Sequence, residues 1–346
     1  MPKRIGYLYE RVITFDNCLA AVLEGTESLR KTECVKRIRN EPEKYARKIQ
    51  EILINGWEPR PCRKKIINEG TNKKRRELLI PTMLDHLIHV AVMRVAEPYL
   101  LKRFDFASCG SIPGRGQKRV QAIIKSWQKK MPKYAAECDV RKFFPSCRKS
   151  VVMKCLKRIF KDAKYLSLHE KILDQMDGTI AIGFQPSHWY GNLVLTQCDQ
   201  ELRKMGVKFV RYMDNYAMVA RRKRTLHKAI RRLMEILKSM GLELKGDWQV
   251  YKTKARAITM LCYRYYADGK ILIKKKLMKH MKRAFRRARH RLDAHTARGV
   301  MSLIGILRHC SSYNFRRKYV YGKISIRLCR RLISDADKKR LLSRGT

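Results

Sequence analysis

Apolar side chains follow a helical period in several segments of the chain. In the first 60 residues they recur every three or four positions, which predicts mixed helices. The same period resumes after Pro81, where Thr82 is expected to cap a helix, Asp85 to return the hydrogen bond, and Glu97-Pro98 to end the helix. Further helices are predicted up to Trp127, over residues 226–241, and along a C-terminal stripe of Leu277, Met281, Phe285, Ala288 and Leu292.

Strand-like patterns interrupt these helices. A basic hairpin is predicted over residues 62–80, with its turn across 68–72, and a buried strand over 134–140 that carries Asp139 at its end. Two short strands within residues 207–220 flank Met213, Asp214 and Asn215, where Asp and Asn suit a tight turn. Because strands and helices interleave in the middle and helices dominate the end, we expect an α+β fold with an antiparallel sheet and a basic helical appendage.

The net charge of the chain indicates which class of partner it binds. The chain has 346 residues, with 80 Lys+Arg and 30 Asp+Glu, and a formal net charge of +50. Such a basic, foldable chain indicates a polyanionic partner, above all nucleic acid, and a generic basic RNA-binding protein is one interpretation. No apolar run reaches the length of a membrane span, so no membrane partner is expected. The 11 cysteines include no CxxC pair, which argues against structural zinc and favours a reducing compartment.

The stripe near the C terminus belongs to a helix whose other faces are strongly basic. It has no acidic residue before Asp293, whereas a solvated helix usually mixes both signs. A face that follows phosphates is therefore favoured over an ordinary exposed face.

Two carboxylates are candidates for chemistry because each sits in an apolar strand context, where an unpaired charge is costly. Asp139 begins the sequence DVRKFF, and Asp214 lies in YMDN. Either one alone also fits an internal salt bridge. Together in a basic chain they favour a divalent metal site, since Mg²⁺ takes oxygen ligands and substrate phosphates can complete its shell. Two such ions can clamp the oxygens of a phosphoryl transfer, and no P-loop, GxSxG or HExxH motif competes.

Seven short motifs in sequence order complete the pattern. They are RELLIPT (76–82) followed by Asp85-His86, GSIPGRG (110–116), DVRKFF (139–144), IGFQPS (182–187), YMDN (212–215), GLEL (241–244) and MLCY (260–263). In this order they resemble the motifs of bacterial and phage reverse transcriptases, over about residues 76–263. The resemblance implies a right-hand polymerase with fingers, a palm and a helical thumb. The expected division is a helical extension over 1–60, fingers over 61–135, a palm interleaved with part of the fingers over 136–265, and a basic thumb and tail over 266–346.

Within this family, residues 182–187 resemble the pattern of diversity-generating retroelements, in which Ile182 replaces a Gln. His188 departs from that pattern, which has Gln at this position. The resemblance implies synthesis of cDNA on a structured RNA, with errors at template adenines. Two alternatives stay open: a phage-defence (abortive-infection) reverse transcriptase, and a silent RNA-binding scaffold that keeps the polymerase shape.

The resemblance also implies roles for single residues. Asp139, the Val140 carbonyl and Asp214 would hold two Mg²⁺ ions, with Mn²⁺ as an alternative, and Asn215 replaces the second catalytic Asp of the family. Phe144 would exclude a ribose 2′-hydroxyl, while Phe143 fits a core position. The residues expected to bind the dNTP are Lys74, Arg76, Phe144, Ile182 and Gly183. Those expected to bind template and primer are Arg115, Tyr212, Tyr263, Lys275, Lys279, Arg283 and Arg286.

The partners implied by the resemblance are a template RNA, its RNA/DNA hybrid, dNTPs, and a small basic accessory protein that forms a pentameric ring. The basic terminal segments are the expected RNA contacts, with an affinity that falls steeply with salt. The expected location is the cytoplasm of a bacterial or phage-infected cell.

Overall fold

The structure is a computed structural model that describes residues 4–27, 29, 32–69 and 74–342. Its N-terminal part is helical, as the apolar period predicts. The second and fourth helices pack against each other and bury Val22 and Ile49, because each is apolar along one side. The helices of this part are α1 (Tyr9–Val12), α2 (Phe15–Glu27), α3 (Glu33–Asn40) and α4 (Pro42–Ile54).

The predicted basic hairpin follows, with two antiparallel strands paired along their whole length. Of its predicted turn, residues 70–72 lie outside the described part of the chain. The next helix begins as predicted, since the Thr82 hydroxyl accepts a hydrogen bond from the Asp85 N–H. The elements here are β1 (Arg63–Glu69), β2 (Lys74–Ile80), α5 (Met83–Leu101) and α6 (Gln117–Gln128).

The predicted end of α5 at Glu97-Pro98 is wrong, because the helix continues through Pro98 to Leu101. A proline inside a helix costs about 3 kcal/mol through a lost N–H and a clash with the preceding turn. Leu100, the last residue but one of the helix, is fully buried, and burying such a side chain contributes about 1.5–3 kcal/mol. Core packing therefore offsets most of the local penalty.

A four-stranded antiparallel sheet in the order β4-β5-β3-β6 forms the centre of the molecule. The predicted strand that carries Asp139 is its third strand, and the predicted tight turn joins the first two strands across Met213 and Asp214. The elements of this region are β3 (Tyr134–Asp139), α7 (Phe143–Ser146), α8 (Lys149–Lys157), α9 (Ala163–Asp174), α10 (Pro186–Lys204), β4 (Lys208–Tyr212), β5 (Asn215–Ala220), α11 (Lys223–Ser239) and β6 (Gln249–Lys252).

The C-terminal part begins with a small antiparallel sheet in the order β7-β8-β9 and continues as helices. The first helix buries Met281, Phe285 and Ala288, which belong to the predicted apolar stripe. The elements are β7 (Ile258–Met260), β8 (Tyr263–Tyr265), β9 (Ile271–Ile273), α12 (Lys275–His290), α13 (Ala294–Leu307), α14 (Tyr313–Tyr319) and α15 (Ile326–Leu342).

The central sheet separates two apolar cores, because successive residues of a strand point to opposite faces. Ala136 and Met218 join the core under α5 and α8–α11, whereas Ala135 and Val219 join the core shared with α12–α15. The predicted α+β class with an antiparallel sheet is confirmed. The predicted domain boundaries are not tested by this arrangement and stay a prediction.

Two further observations concern the cysteines and the helices. The 11 cysteines are all free. In the described ranges no helix combines the length and apolarity that crossing a bilayer requires.

Candidate active site

The two candidate carboxylates lie at one end of the central sheet, although they are far apart in the chain. Asp139 ends β3 and is in register with Asn215, the first residue of β5. Asp214 lies in the turn just before Asn215, and its carbonyl accepts a hydrogen bond from the Val140 N–H at 3.2 Å. The backbone therefore brings both carboxylates to the same edge.

The electrostatics of this edge show that the carboxylates interact. Burial raises the pKa of Asp214 above its ordinary value, and the negative charge of Asp139 raises it further. Lys245 Nζ lies 2.6 Å from Asp139 Oδ1. Asn215 Nδ2 donates to Asp214 Oδ1 at 3.2 Å. Lys245 and Asn215 both stabilise the charged carboxylate and so oppose the rise in the pKa of Asp214.

The carboxylate and carbonyl oxygens at this edge suit a hard divalent cation. Two carboxylates held side by side repel each other, and a cation bound by both would remove that repulsion. The Asp139 carbonyl accepts from the Lys245 N–H at 2.8 Å, and the adjoining backbone bonds do not use the Val140 carbonyl oxygen. No group of three or more His, Cys, Asp or Glu side chains gathers into a metal site within the described residues. Asn215 places a side-chain amide next to the Asp214 carboxylate.

A buried polar network holds the turn that carries Asp214. Arg211 and Asp199 are both fully buried, with Arg211 Nη2 2.6 Å from Asp199 Oδ2. Arg211 Nη1 donates to the Met213 carbonyl at 3.0 Å, and Nη2 donates to Ser108 Oγ at 2.9 Å. None of the sequence motifs pointed to this pair. A charged residue at an inward position of an apolar strand, in KFVRY, was the available signal.

The glycine loop reaches the same turn. A Cβ atom on Gly110 would lie 2.4 Å from the Met213 backbone nitrogen, so no other residue fits there without displacing the turn. Asn192 Nδ2 donates to the Gly110 carbonyl at 2.9 Å, and Asn192 Oδ1 accepts from Arg211 Nη1 at 2.9 Å. In this structure the first glycine of the loop has a packing role.

The strand that carries Arg76 contacts the IGFQPS segment through its residue Leu79. The Leu79 N–H donates to the Ile182 carbonyl at 3.0 Å. A Cβ on Gly183, whose φ is +114°, would lie 2.3 Å from the Leu79 carbonyl oxygen. Arg76 lies half-buried on the same strand as Leu79. The side chain of Lys74 lies outside the described part of the chain.

The two phenylalanines after Asp139 separate as predicted. Phe143 is buried in the core. Phe144 is only half-buried and packs edge-on against Phe143 at 5.7 Å and against His188 at 6.0 Å between ring centroids. Phe144 therefore connects the end of β3 to α10, which follows the Ile182 segment.

Comparison with known proteins gives this arrangement a family. Residues 63–265, more than half of the chain and including both carboxylates, match the reverse transcriptase (RNA-dependent DNA polymerase) family. The chain belongs to this family. Its α+β fold with an antiparallel palm sheet agrees with the right-hand polymerase fold that the sequence predicts.

Individual relatives of this reverse transcriptase are distant. Nuclear intron maturase 1, mitochondrial, of Arabidopsis thaliana is 30% identical over 119 residues, which are 32% of this chain and 16% of the relative. Protein YkfC of Escherichia coli (strain K12) is 25% identical over 122 residues, which are 34% of this chain and 32% of the relative. The match thus spans less than a third of the length of either relative.

Among solved structures, telomerase from Candida albicans in complex with a TWJ fragment of telomeric RNA is similar with a TM-score of 0.49 and 13% identity. The similarity covers 80% of this chain and 59% of that chain. A likeness this weak decides neither the substrate nor the partners of this reverse transcriptase.

Two residues predicted to bind template or primer in this reverse transcriptase, Arg115 and Tyr212, line one cavity of about 440 Å³ together with His188. The Arg115 guanidinium donates to the carbonyls of Asp105 and Ser108, the latter at 2.9 Å. Burial lowers the pKa of Arg115. Arg115 therefore also holds its own loop.

Tyr263 is fully buried at the base of the predicted thumb. Its hydroxyl accepts from Gln117 Nε2 at 3.0 Å and donates to the Ile306 carbonyl at 2.9 Å. Any effect of this ring on a primer would be exerted through the elements that it holds. Its predicted role in primer binding is not tested.

The predicted thumb cations lie exposed along α12. Lys275, Lys279 and Arg283 line a groove of about 500 Å³. The Arg286 guanidinium lies 6.0 Å from the centre of the Tyr319 ring. One helix thus presents four of the predicted contacts at the surface.

Proposed function

We propose that this chain is an RNA-directed DNA polymerase with Asp139 and Asp214 at its catalytic centre. The observation that carries the proposal is the meeting of these two carboxylates at the edge of the palm sheet, where burial and mutual repulsion raise the pKa of Asp214. Asp139, the Val140 carbonyl and Asp214 would hold Mg²⁺ or Mn²⁺. The ions would supply neutralisation of the charge on the transferred phosphate.

The finer part of the proposal is the diversity-generating type of reverse transcriptase, which copies a structured RNA with errors at template adenines. Ile182 supports it, because an apolar side chain cannot make the hydrogen bond that Gln offers at this position. The backbone bond from Leu79 to Ile182 and the close approach at Gly183 hold this segment against β2. In this proposal base selection is lost because these backbone contacts hold Ile182 in place of a Gln.

The proposed partners follow from the same reading. Exposed cations on α12 suit an RNA template and its RNA/DNA hybrid, and the half-buried Arg76 suits the triphosphate of a dNTP. The small basic ring-forming accessory protein and the cytoplasmic setting rest on the resemblance alone.

A second candidate function is a silent RNA-binding scaffold. Two observations favour it: Asn215 stands where the family has an Asp, and the Lys245 ammonium already neutralises Asp139 at 2.6 Å. A weakened metal site would result from both.

Primer extension on a supplied RNA template, with Mg²⁺ and dNTPs, separates these candidates. We expect extension by the unaltered chain and a gain with Asn215→Asp, because a carboxylate at position 215 binds Mg²⁺ better than an amide. If Asn215→Asp gives no gain in an active enzyme, position 215 does not limit catalysis. If neither protein extends a primer while both bind RNA, the scaffold is the better description.

Sequencing the product then tests the subtype. Errors confined to template adenines are expected of a diversity-generating enzyme. Low-complexity or repetitive DNA would instead identify the phage-defence alternative.

A further inference from the structure

A second strongly basic site lies between α8 and α9, on elements that carry neither candidate carboxylate. It is a cavity of about 880 Å³. Five cations line it with a single carboxylate, namely Arg148, Lys149, Lys154, Lys157, Arg158 and Glu170. None of the motifs described above includes these residues.

The wall of this cavity is fixed by the fold. The Lys149 N–H donates to the Gly178 carbonyl at 2.7 Å, and Arg148 forms a bridge with Thr179. Lys149 Nζ lies 3.2 Å from Glu170 and 2.7 Å from Asp174, which ties the start of α8 to α9. The cavity is therefore defined by backbone and ion-pair contacts on two sides.

The charge of the other four cations is not neutralised by the acidic side chains that the structure describes. Within the described part of the chain, no ion pair joins Arg148, Lys154, Lys157 or Arg158 to an acidic side chain. Lys154, Lys157 and Arg158 are exposed and spaced three and four apart, so they share one face at the C-terminal end of α8. Like charges at this spacing destabilise a helix. An anionic ligand would remove that repulsion.

The chemistry of the lining indicates which anion. Among the described residues, none that lines the cavity is aromatic, so a base would find no ring to stack on. Met153 is the large apolar side chain of the lining. A wide basic cavity without a stacking surface suits phosphates of a polymer backbone better than a single nucleotide, which would be held partly by its base.

We infer that this cavity binds the phosphodiester backbone of a structured RNA, independently of its sequence and at a site separate from the polymerase centre. The inference rests on the RNA binding that the proposed function includes, and it does not require polymerase activity. A second contact of this kind would hold a folded part of the RNA while another part lies at the carboxylates.

The test compares two triple variants of the full chain. Lys154→Gln/Lys157→Gln/Arg158→Gln removes three charges from the cavity, and Lys228→Gln/Arg231→Gln/Lys238→Gln removes three exposed charges from α11. Both lose the same net charge. Affinity for a long RNA with several hairpins is measured at a series of salt concentrations, and primer extension on a short template reports on the polymerase centre.

We expect the cavity variant to bind the long RNA about tenfold more weakly than the α11 variant. The slope of log K against log salt, which is negative, should be smaller in magnitude by about 2. Extension on the short template should be the same for both variants. Equal affinities and slopes would overturn the inference. So would a cavity variant that loses extension on the short template as strongly as it loses RNA binding, because the cavity would then belong to the polymerase centre.

A measurement on the unaltered protein guards against a folding defect in the variants. Acetylation of exposed lysines, read by mass spectrometry, should be slowed at Lys154 and Lys157 by the long RNA and not by the short primer-template, with Lys228 unaffected. Inorganic pyrophosphate at the same phosphate concentration should protect far less. Equal protection by pyrophosphate would identify a small-anion site and overturn the inference.

Discussion

The turn that carries Asp214 and the helix α12 that carries the thumb cations are held in opposite ways. Behind the turn lie two fully buried charged residues, Arg211 and Asp199, and Arg211 donates a hydrogen bond to the Met213 carbonyl of the turn. Behind α12 lie apolar side chains such as Met281 and Phe285, and its charges stay in solvent.

The difference follows from what each part must do. Hydrogen bonds are directional, so a buried network fixes the orientation of a backbone carbonyl and with it the carboxylate next door. Apolar packing is non-directional and positions a helix without restricting the charged tips of its surface side chains. A metal site needs the fixed orientation that directional hydrogen bonds give. A polyanion of irregular shape is bound better by charged side chains that remain free to move.

The largest expected effect is on folding, from Arg211→Met. Removing the guanidinium leaves Asp199 buried and unpaired, which should lower the free energy of unfolding by about 3–5 kcal/mol. Arg298→Met is the matched control in the thumb, because Arg298 pairs with Asp337 at the surface at 2.6 Å, and such pairs contribute about 0.2–1 kcal/mol. Urea unfolding of both variants measures the difference. Equal losses would show that the two regions are not held differently.

A double variant sharpens this comparison. In Arg211→Met/Asp199→Leu the unpaired carboxylate is gone as well, so much of the lost stability should return. Primer extension should nevertheless be slower than in the unaltered chain, because the Met213 carbonyl has lost its hydrogen bond from the Arg211 guanidinium. Full recovery of extension would contradict the role of the network in orienting the turn.

The next effect is on catalysis. Asp214→Asn should lower the rate of primer extension by about 10²–10³-fold, the range for losing one group that stabilises charge in a transition state. Asp268→Asn is the isosteric control, since Asp268 is paired with Lys270 at the surface. Single-turnover extension at saturating dNTP checks the prediction. A variant at Asp214 with the rate of the control would remove this residue from the catalytic centre.

A smaller effect concerns pH and the core beneath α5 and α10. Burial lowers the pKa of His169 to about 3, against about 6.5 in an unfolded chain. As pH falls below 6.5, the unfolded chain takes up a proton that the folded chain does not, so stability present above this pH is progressively lost. The loss from His169 should be about 2 kcal/mol at pH 5.

Replacement by a side chain that does not titrate tests this. The difference in unfolding free energy between pH 7 and pH 5 should shrink by about 2 kcal/mol in His169→Gln. His295→Gln, at an exposed thumb position, should keep the wild-type difference. An unchanged pH dependence in His169→Gln would refute the assignment.

The smallest effect is expected from the thumb charges. Lys275→Gln/Lys279→Gln/Arg283→Gln should weaken binding of an RNA/DNA hybrid about tenfold at moderate salt, with the free energy of unfolding nearly unchanged, because all three side chains are exposed. The triple variant on α11 is again the control. Comparable binding by both would mean that the cations of α12 do not contact the hybrid.

Local pattern was sufficient to predict much of the fold. The hairpin strands, the cap at Thr82, the strand ending at Asp139 and the stripe on α12 all depend on residues close in sequence, and the structure confirms them. The end of α5 was mispredicted because the local rule for Pro98 ignores the burial of Leu100. Local propensity depends on residues that are close in the chain, whereas the stability of a helix also depends on residues that contact it in the folded protein.

The residues of the candidate site also divide into those that local sequence predicts and those that depend on tertiary contacts. The identities of Asp139 and Asp214 could be read from motifs, but Arg211, Asp199 and Lys245 could not, since no motif names them. Their roles depend on contacts between separate elements, such as the 2.6 Å approach of Lys245, in the loop after α11, to Asp139 at the end of β3. The burial of Tyr263 was equally invisible, because a Tyr in a strand can face either side.

By itself, the amino-acid sequence determined the charge of the molecule, several of its helices and strands, and the presence of two carboxylates next to apolar strands. Only the tertiary structure decided that these carboxylates meet, that a buried arginine holds their turn, and that the cations of α8 surround a cavity. Charge and periodicity are properties of neighbouring residues. Short distances between side chains, their burial and the neutralisation of their charges arise only when segments remote in the chain come into contact.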